Sequence, residues 1–124
     1  MGSERLLRRH RLRERREFLR CYRAGRRRTR PLLMLYSLPN QLDHARLGIT
    51  ASRKVGPSVV RNRAKRRVRD IFRRYAERPA HAGLDLVVHL QPPAGGAEFT
   101  ALRDQLLELL AGLTAERARA AEKR

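Results

Sequence analysis

The densest set of chemically capable side chains lies in residues 59–78, VVRNRAKRRVRDIFRRYAER. At about 100° per residue, Val60, Ala64, Val68, Ile71, Phe72 and Tyr75 fall within one sector of about 120°. Lys65, Arg69, Arg73, Arg66, Arg63, Arg74 and Arg67 take the rest of the circumference, and Arg61 sits at the edge of the apolar sector. The segment is therefore expected to be a helix that is half core and half cation. Guanidinium groups ranked three and four residues apart hold phosphate oxygens and release the counterions of a polyanion. The chemistry of this face is anion binding.

A second cationic element lies upstream. Residues 1–30 hold 13 basic and 3 acidic side chains, and residues 46–78 hold 12 and 2, a net charge of +10 in each block. The remaining two blocks, 31–45 and 79–124, are each at −1, so the whole excess of +18 sits in two places. Aromatic side chains interleave with the first: Phe18 and Tyr22 lie on a helix-spaced face with Cys21, and Tyr36 follows in an apolar run. Cationic surface with aromatic platforms suits single-stranded or irregular RNA, whose unstacked bases stack on Phe and Tyr while Lys and Arg track the backbone. An aromatic at helical spacing is also an ordinary core residue, and Phe72 and Tyr75, central in their apolar sector, read as core. Only Lys54, Lys65 and Lys123 of the 30 basic residues are lysine, a bias that GC-rich base composition explains without any mechanism.

Catalytic chemistry is not evident. His10, His44, His81 and His89 lack paired metal-ligand spacing, and the single cysteine, Cys21, completes no zinc site and no internal disulfide. Between Phe18 and Ala97 the acids are Asp43, Asp70, Glu77 and Asp85, with no evident pair to hold a catalytic cation; Asp70 reads as a screen for the arginines of its own helix. No nucleophile elbow, P-loop or dinucleotide fingerprint is present. No apolar run approaches the ~18 residues of a membrane span, and the N-terminus has neither the apolar segment of a secretory signal nor, with Leu6 at the sixth position, the myristoylation pattern. The chain is expected to be soluble and cytoplasmic.

The elements that must position these groups follow from periodicity. Residues 13–24 read as a helix ended by Gly25, with Gly25 in the left-handed position that commonly closes helices. Residues 32–38, 46–52 and 84–90 read as strands, with a short further strand near 26–30. In the second of these, Leu47, Ile49 and Ala51 alternate with Arg46, Gly48, Thr50 and Ser52, one set toward a core and the other away from it. Phe99, Leu102, Leu106, Leu109 or Leu110, and Leu113 mark a closing helix, and the charged stretch after Thr114 has too few apolar residues to dock. At 124 residues the chain is one domain.

Taken together, RLRERREFLRCYRAG, LLMLYSL and RLGITASRKVGPSVVRNRAKRRVRDIFR resemble the bacterial ribonuclease P protein component in motif, order and spacing, most specifically at Arg61-Asn62-Arg63, Lys65-Arg66 and Arg69. The resemblance covers residues 11–113, leaving a basic N-terminal extension (1–10) and a charged C-terminal tail (114–124). It implies an α+β fold: a single two-layer domain, an N-terminal helix and then β3-α-β-α with a left-handed βαβ crossover, against the general preference for right-handed ones. It implies a protein subunit that assists removal of the 5′ leader from precursor tRNA while a catalytic RNA holds the Mg2+ and does the chemistry, with no cofactor, catalytic residue or obligate protein partner of its own. Its implied partners are ribonuclease P RNA and the precursor tRNA leader. Arg61, Asn62, Arg63, Lys65, Arg66 and Arg69 take the ribozyme-facing role; Phe18, Tyr22, Tyr36, Thr50 and Ser52 form the leader groove, with Arg53 and Lys54 beside it. Where relatives commonly carry a basic residue after the last strand, this chain has Gln91. A structural ribosome-associated protein and a nucleoid DNA binder share the composition but not the need for a leader.

Overall fold

A computed structural model describes residues 8–123. Residues 1–7, most of the expected basic extension, and Arg124 lie outside the described residues. Seven main elements follow in order: α1 (Arg15–Ala24), β1 (Arg26–Thr29), β2 (Leu33–Pro39), β3 (Arg46–Ala51), α2 (Ser58–Arg74), β4 (Leu84–Leu90) and α3 (Phe99–Glu122). The helix expected at 13–24 begins two residues later because Glu14 caps it, with the Glu17 carboxylate accepting the Glu14 N–H at 3.0 Å.

The sheet has the order β1-β2-β4-β3. β1 and β2, and β2 and β4, pair antiparallel, whereas β3 runs parallel to β4 with α2 as the connection between them. Strand alternation then builds two apolar layers. Leu33 and Leu35 of β2, Leu47 of β3 and Leu84, Leu86, Val88 and Leu90 of β4 join Ala64, Val68, Ile71 and Phe72 of α2 and Leu102, Leu106, Leu109, Leu110 and Leu113 of α3 in the main core. This sheet and this helix pair form the two main layers, and α1 adds helix on the opposite face, beyond the two layers expected. On the other sheet face α1 covers a smaller cluster, in which Leu12, Cys21 and Val87 are buried and Phe18, Tyr22, Tyr36 and Leu38 pack against them.

Two expectations change. Gly25 is extended, at φ −77° and ψ 159°, and does not adopt the left-handed conformation; glycine is needed there because a Cβ would stand 2.4 Å from the Cys21 carbonyl oxygen. The charged tail also docks: α3 continues to Glu122, Glu116 pairs with Arg26 and Arg28, and Arg117 donates to the Ala80 and Ala82 carbonyls at 2.6 and 3.1 Å. Polar contacts replace the apolar ones that this stretch lacks.

Candidate nucleic-acid interface

The first candidate surface is the outer side of α2. Ala64, Val68, Ile71 and Phe72 take the apolar sector into the core, which leaves Asn62, Arg63 and Arg66 exposed and Lys65 and Arg69 half-buried. The six expected residues form two ranks. Arg61, Lys65 and Arg69 succeed one another every fourth residue along one flank, while Asn62, Arg63 and Arg66 face outward. Arg61, at the edge of the apolar sector, is half-buried, and its Nε has no hydrogen-bond partner. Among the described residues none of the five basic members of this set pairs with a carboxylate.

Two residues join them that the helix pattern alone did not single out for this role. Arg11 reaches the surface because the segment before α1 pairs with β3, where the Leu12 N–H donates to the Leu47 carbonyl at 3.0 Å. Arg11 then lines a shallow cleft with Arg63, Arg66, Arg69 and Arg73. Burial, with the neighbouring guanidinium groups of Arg11 and Arg66, pushes Arg69 below the ordinary arginine value. Val59 is 75% exposed on the first turn of α2, an apolar side chain at the N-terminal end of the arginine face. Asp70 is taken up by Arg73 and Arg74, as the screening role expects.

The second surface lies across the sheet, between α1 and the even-numbered residues of β2 and β3. Phe18 stacks so closely on β3 that a Cβ on Gly48 would stand 2.4 Å from its ring; glycine at 48 makes room for the aromatic. The Tyr22 and Thr50 hydroxyls are 2.6 Å apart, and Thr50 Oγ1 lies 2.8 Å from His89 Nδ1. Tyr36 meets Tyr22 edge-on with ring centroids 4.8 Å apart. Ser52, expected to end the strand, lies one residue past β3 and precedes the turn Arg53–Val55 that leads into α2, on which Arg53 and Lys54 stand exposed. Phe18, Tyr22, Tyr36 and Thr50 are thus brought together, half-buried, as core on one side and platform on the other.

His89 was not among the expected groove residues. Its signal is parity: in β4, Asp85, Val87 and His89 all turn to the α1 side. Burial lowers its pKa, so the imidazole is neutral at pH 7, and the Thr50 hydroxyl lies within hydrogen-bond distance of both His89 Nδ1 and the Tyr22 hydroxyl. Burial also holds the Tyr22 phenol above its ordinary value, against the opposing effect of its hydrogen bond with Thr50, so it keeps its proton.

A buried ion network sets α1 at its height above the sheet. Asp85, with no exposed surface, accepts from Arg46 Nε and NH2 at 2.8 Å each and from Asn40 Nδ2 at 2.9 Å. Arg46 NH1 donates to Glu17 of α1 at 2.7 Å, and Arg20 of α1 lies 3.5 Å from Asp85. Burial alone would raise the Asp85 pKa; the hydrogen bonds from Arg46 and Asn40 and the charges of Arg46 and Arg20 outweigh it and hold the carboxyl below its ordinary value. Cys21 beneath α1 is fully buried, and burial together with the Asp85 charge pushes its thiol up to about 11, so it is no nucleophile. Among the described residues no three His, Cys, Asp or Glu side chains gather as a metal site. No helix is long and apolar enough to cross a membrane among the residues described.

The two surfaces therefore lie on opposite faces of the sheet, joined around edge strand β3. Along β1 and just after it part of the positive charge is internally matched: Arg26 and Arg28 pair with Glu116, and Arg30 with Glu108 at 2.9 Å. Gln91 donates to the Arg30 carbonyl at 2.6 Å.

Comparison with known proteins agrees with this geometry. The family model described as Ribonuclease P matches residues 6–114. The ribonuclease P protein component of Thermotoga maritima is 38% identical over 112 residues, covering 87% of this chain and 95% of that protein. That of Clostridium botulinum (strain 657) is 33% identical over 101 residues, covering 82% and 91%. Among solved structures, the ribonuclease P protein of Thermotoga maritima superposes with a TM-score of 0.72 at 35% identity, over 81% of this chain and 94% of that one. The Staphylococcus aureus protein gives 0.75 at 28% identity, over 82% and 93%.

Proposed function

The chain belongs to the ribonuclease P protein family, and from that premise we propose that it binds the catalytic RNA through α2 and the 5′ leader of precursor tRNA through the groove under α1. The single observation that carries this reading is the division of labour around β3: on one side a helix face whose Arg61, Arg63, Lys65, Arg66 and Arg69 have no carboxylate partner among the described residues, and on the other a half-buried aromatic groove. Arg61, Asn62, Arg63, Lys65, Arg66 and Arg69, with Arg11, take phosphates of the catalytic RNA. Val59 gives that face an apolar contact for a base or ribose. Phe18, Tyr22 and Tyr36 stack leader bases, Thr50 and Ser52 supply hydroxyls, and Arg53 and Lys54 hold the backbone as it leaves the groove.

In this reading the protein cleaves nothing itself. The RNA subunit binds the magnesium ions and performs the hydrolysis, and the protein adds affinity where the leader must be held in place. The carboxylates support this assignment, because Asp85 and Asp70 are already engaged by arginines. A cytoplasmic location and the lack of an obligate protein partner belong to the same reading.

Leader length tests it. With the protein bound to a bacterial ribonuclease P RNA, affinity is measured for precursor tRNAs whose leaders grow one nucleotide at a time. Affinity is expected to rise over the first several nucleotides and then level off. Equal affinity for leaderless and leader-bearing tRNA would leave only a structural RNA binder.

A further inference from the structure

The floor under α1 crosses the whole sheet. Strand register sets Gly48 of β3, Val87 of β4, Tyr36 of β2 and Arg27 of β1 in one row, each opposite the next. Residues directly opposite in neighbouring strands share a face, so Arg27 stands on the α1 side with Tyr36. A second row, Thr50, His89, Met34 and Thr29, runs beside the first. At the usual strand separation each row spans about 14 Å. Cover by α1 thins along the first row: Gly48 and Val87 are buried, Tyr36 is half-buried and Arg27 is exposed. The groove therefore opens at β1, the sheet edge remote from β3.

Arg27 differs from the arginines around it. Arg26 and Arg28 alternate to the other face, where Glu116 of α3 takes both, and Arg30 just beyond the strand pairs with Glu108. Arg27, turned the opposite way, has no carboxylate within ion-pair distance among the described residues. Directly opposite residues have Cβ atoms roughly 5 Å apart, so a base lying on Tyr36 leaves its phosphate within reach of the long Arg27 side chain. The other mouth of the groove already carries Arg53 and Lys54, on the turn that follows β3. Cations at both mouths with aromatic rings between them suit a single strand, held by its backbone at each end while its bases stack in the middle.

We infer that Arg27 is a second backbone clamp of this groove: its guanidinium takes a phosphate of the 5′ leader beside the base that stacks on Tyr36, at the end remote from Arg53 and Lys54. The inference rests on the groove under α1 being the leader site. A phosphate contact is blind to base identity, so Arg27 adds affinity for any leader that crosses the sheet and none for a tRNA without one.

Four variants test the idea: Arg27→Ala, Arg27→Lys, Arg26→Ala and Tyr36→Ala, each assembled with ribonuclease P RNA. Affinity is measured across a salt series for a precursor tRNA whose leader is long enough to cross the groove and for mature tRNA. Arg27→Ala is expected to bind the precursor about five- to tenfold more weakly at low salt, with a log-log slope flatter by about 0.7, and to bind mature tRNA as the parent protein does. Arg27→Lys keeps the charge and with it the slope. Arg26→Ala loses the same charge from the opposite face and leaves the difference between the two tRNAs at its parental value. The inference is overturned if Arg27→Ala matches the parent on both tRNAs, or weakens both equally, while Tyr36→Ala remains selective for the leader. An equal leader-selective loss in Arg26→Ala overturns it too, as an effect of overall charge. If neither Arg27→Ala nor Tyr36→Ala is selective for the leader, the groove reading itself has failed and this inference falls with it.

Discussion

Tyr22 and Thr50 join α1 to β3 through hydroxyl oxygens 2.6 Å apart, although 28 residues separate them in sequence. Thr50 passes the contact on to His89 of β4 at 2.8 Å, so one relay ties the helix to two neighbouring strands. A Tyr hydroxyl spent in this way keeps the ring at a fixed angle, with Tyr36 against its edge. The groove is thus preformed, so that on the proposed reading a leader base would meet platforms that are already ordered.

Tyr36→Ala removes one platform and leaves the relay in place. Precursor tRNA binding by the protein–RNA complex is expected to weaken by about 1 to 3 kcal/mol, with mature tRNA binding unchanged. Equal losses for the two tRNAs would take Tyr36 out of the leader path.

Arg63→Ala and Arg66→Ala each delete an exposed guanidinium from the α2 face. Affinity for ribonuclease P RNA is expected to fall and its log-log salt dependence to flatten by roughly 0.7 to 0.9 per variant, one phosphate contact each. Slopes that stay with the parent protein for both would remove these residues from the RNA interface.

Asp85→Asn acts on the network that holds α1. It leaves Arg46 and Arg20 without their buried counter-charge, and chemical denaturation is expected to report a loss of about 3 kcal/mol at pH 7. The native state holds this carboxyl below the ordinary value of 3.8. Its contribution to stability is therefore complete above that pH and disappears as the pH falls through the depressed native value. The variant should lack this acid-sensitive share. An identical acid limb in both proteins would show that the network does not govern it.

His81 predicts a second, milder pH dependence. It is fully buried against Tyr75, at a ring separation of 5.5 Å, and burial together with the Arg117 charge lowers its pKa from 6.5 to about 4. The unfolded chain takes up a proton as the pH drops below 6.5 while the native state resists until about 4. Stability from this residue is thus full above 6.5 and declines as the pH falls between those values, by about 3 kcal/mol in total. His81→Leu should fold at pH 7 and show a flatter stability profile between pH 6.5 and 4. A profile parallel to that of the parent protein would contradict the assignment.

Much of this was legible before any coordinates. The apolar sector of α2 could be read from spacing because a helix with one buried face repeats its pattern locally, and Ala64, Val68, Ile71 and Phe72 are buried as that pattern requires. The parity of Leu47, Ile49 and Ala51 against Gly48 and Thr50 placed two faces of β3 in the same way. What stayed hidden depends on partners far along the chain. The short strand expected near 26–30 does form, as β1, but what holds an all-arginine run there lies elsewhere: it pairs with the edge of β2, and Glu116 neutralises Arg26 and Arg28 from the other end of the sequence. Glu116 and Arg117 dock by polar contacts that leave no periodic trace. His89 and Arg11 joined the surfaces only once strand pairing had set their neighbours.

The central claim is that this protein assists a ribozyme. Its most direct test is cleavage of a leader-bearing precursor tRNA by a bacterial ribonuclease P RNA at low magnesium, with and without the protein. Stimulation by equimolar protein, and no cleavage by the protein alone, is the predicted result. Binding to the RNA without any stimulation at any magnesium concentration would contradict the account.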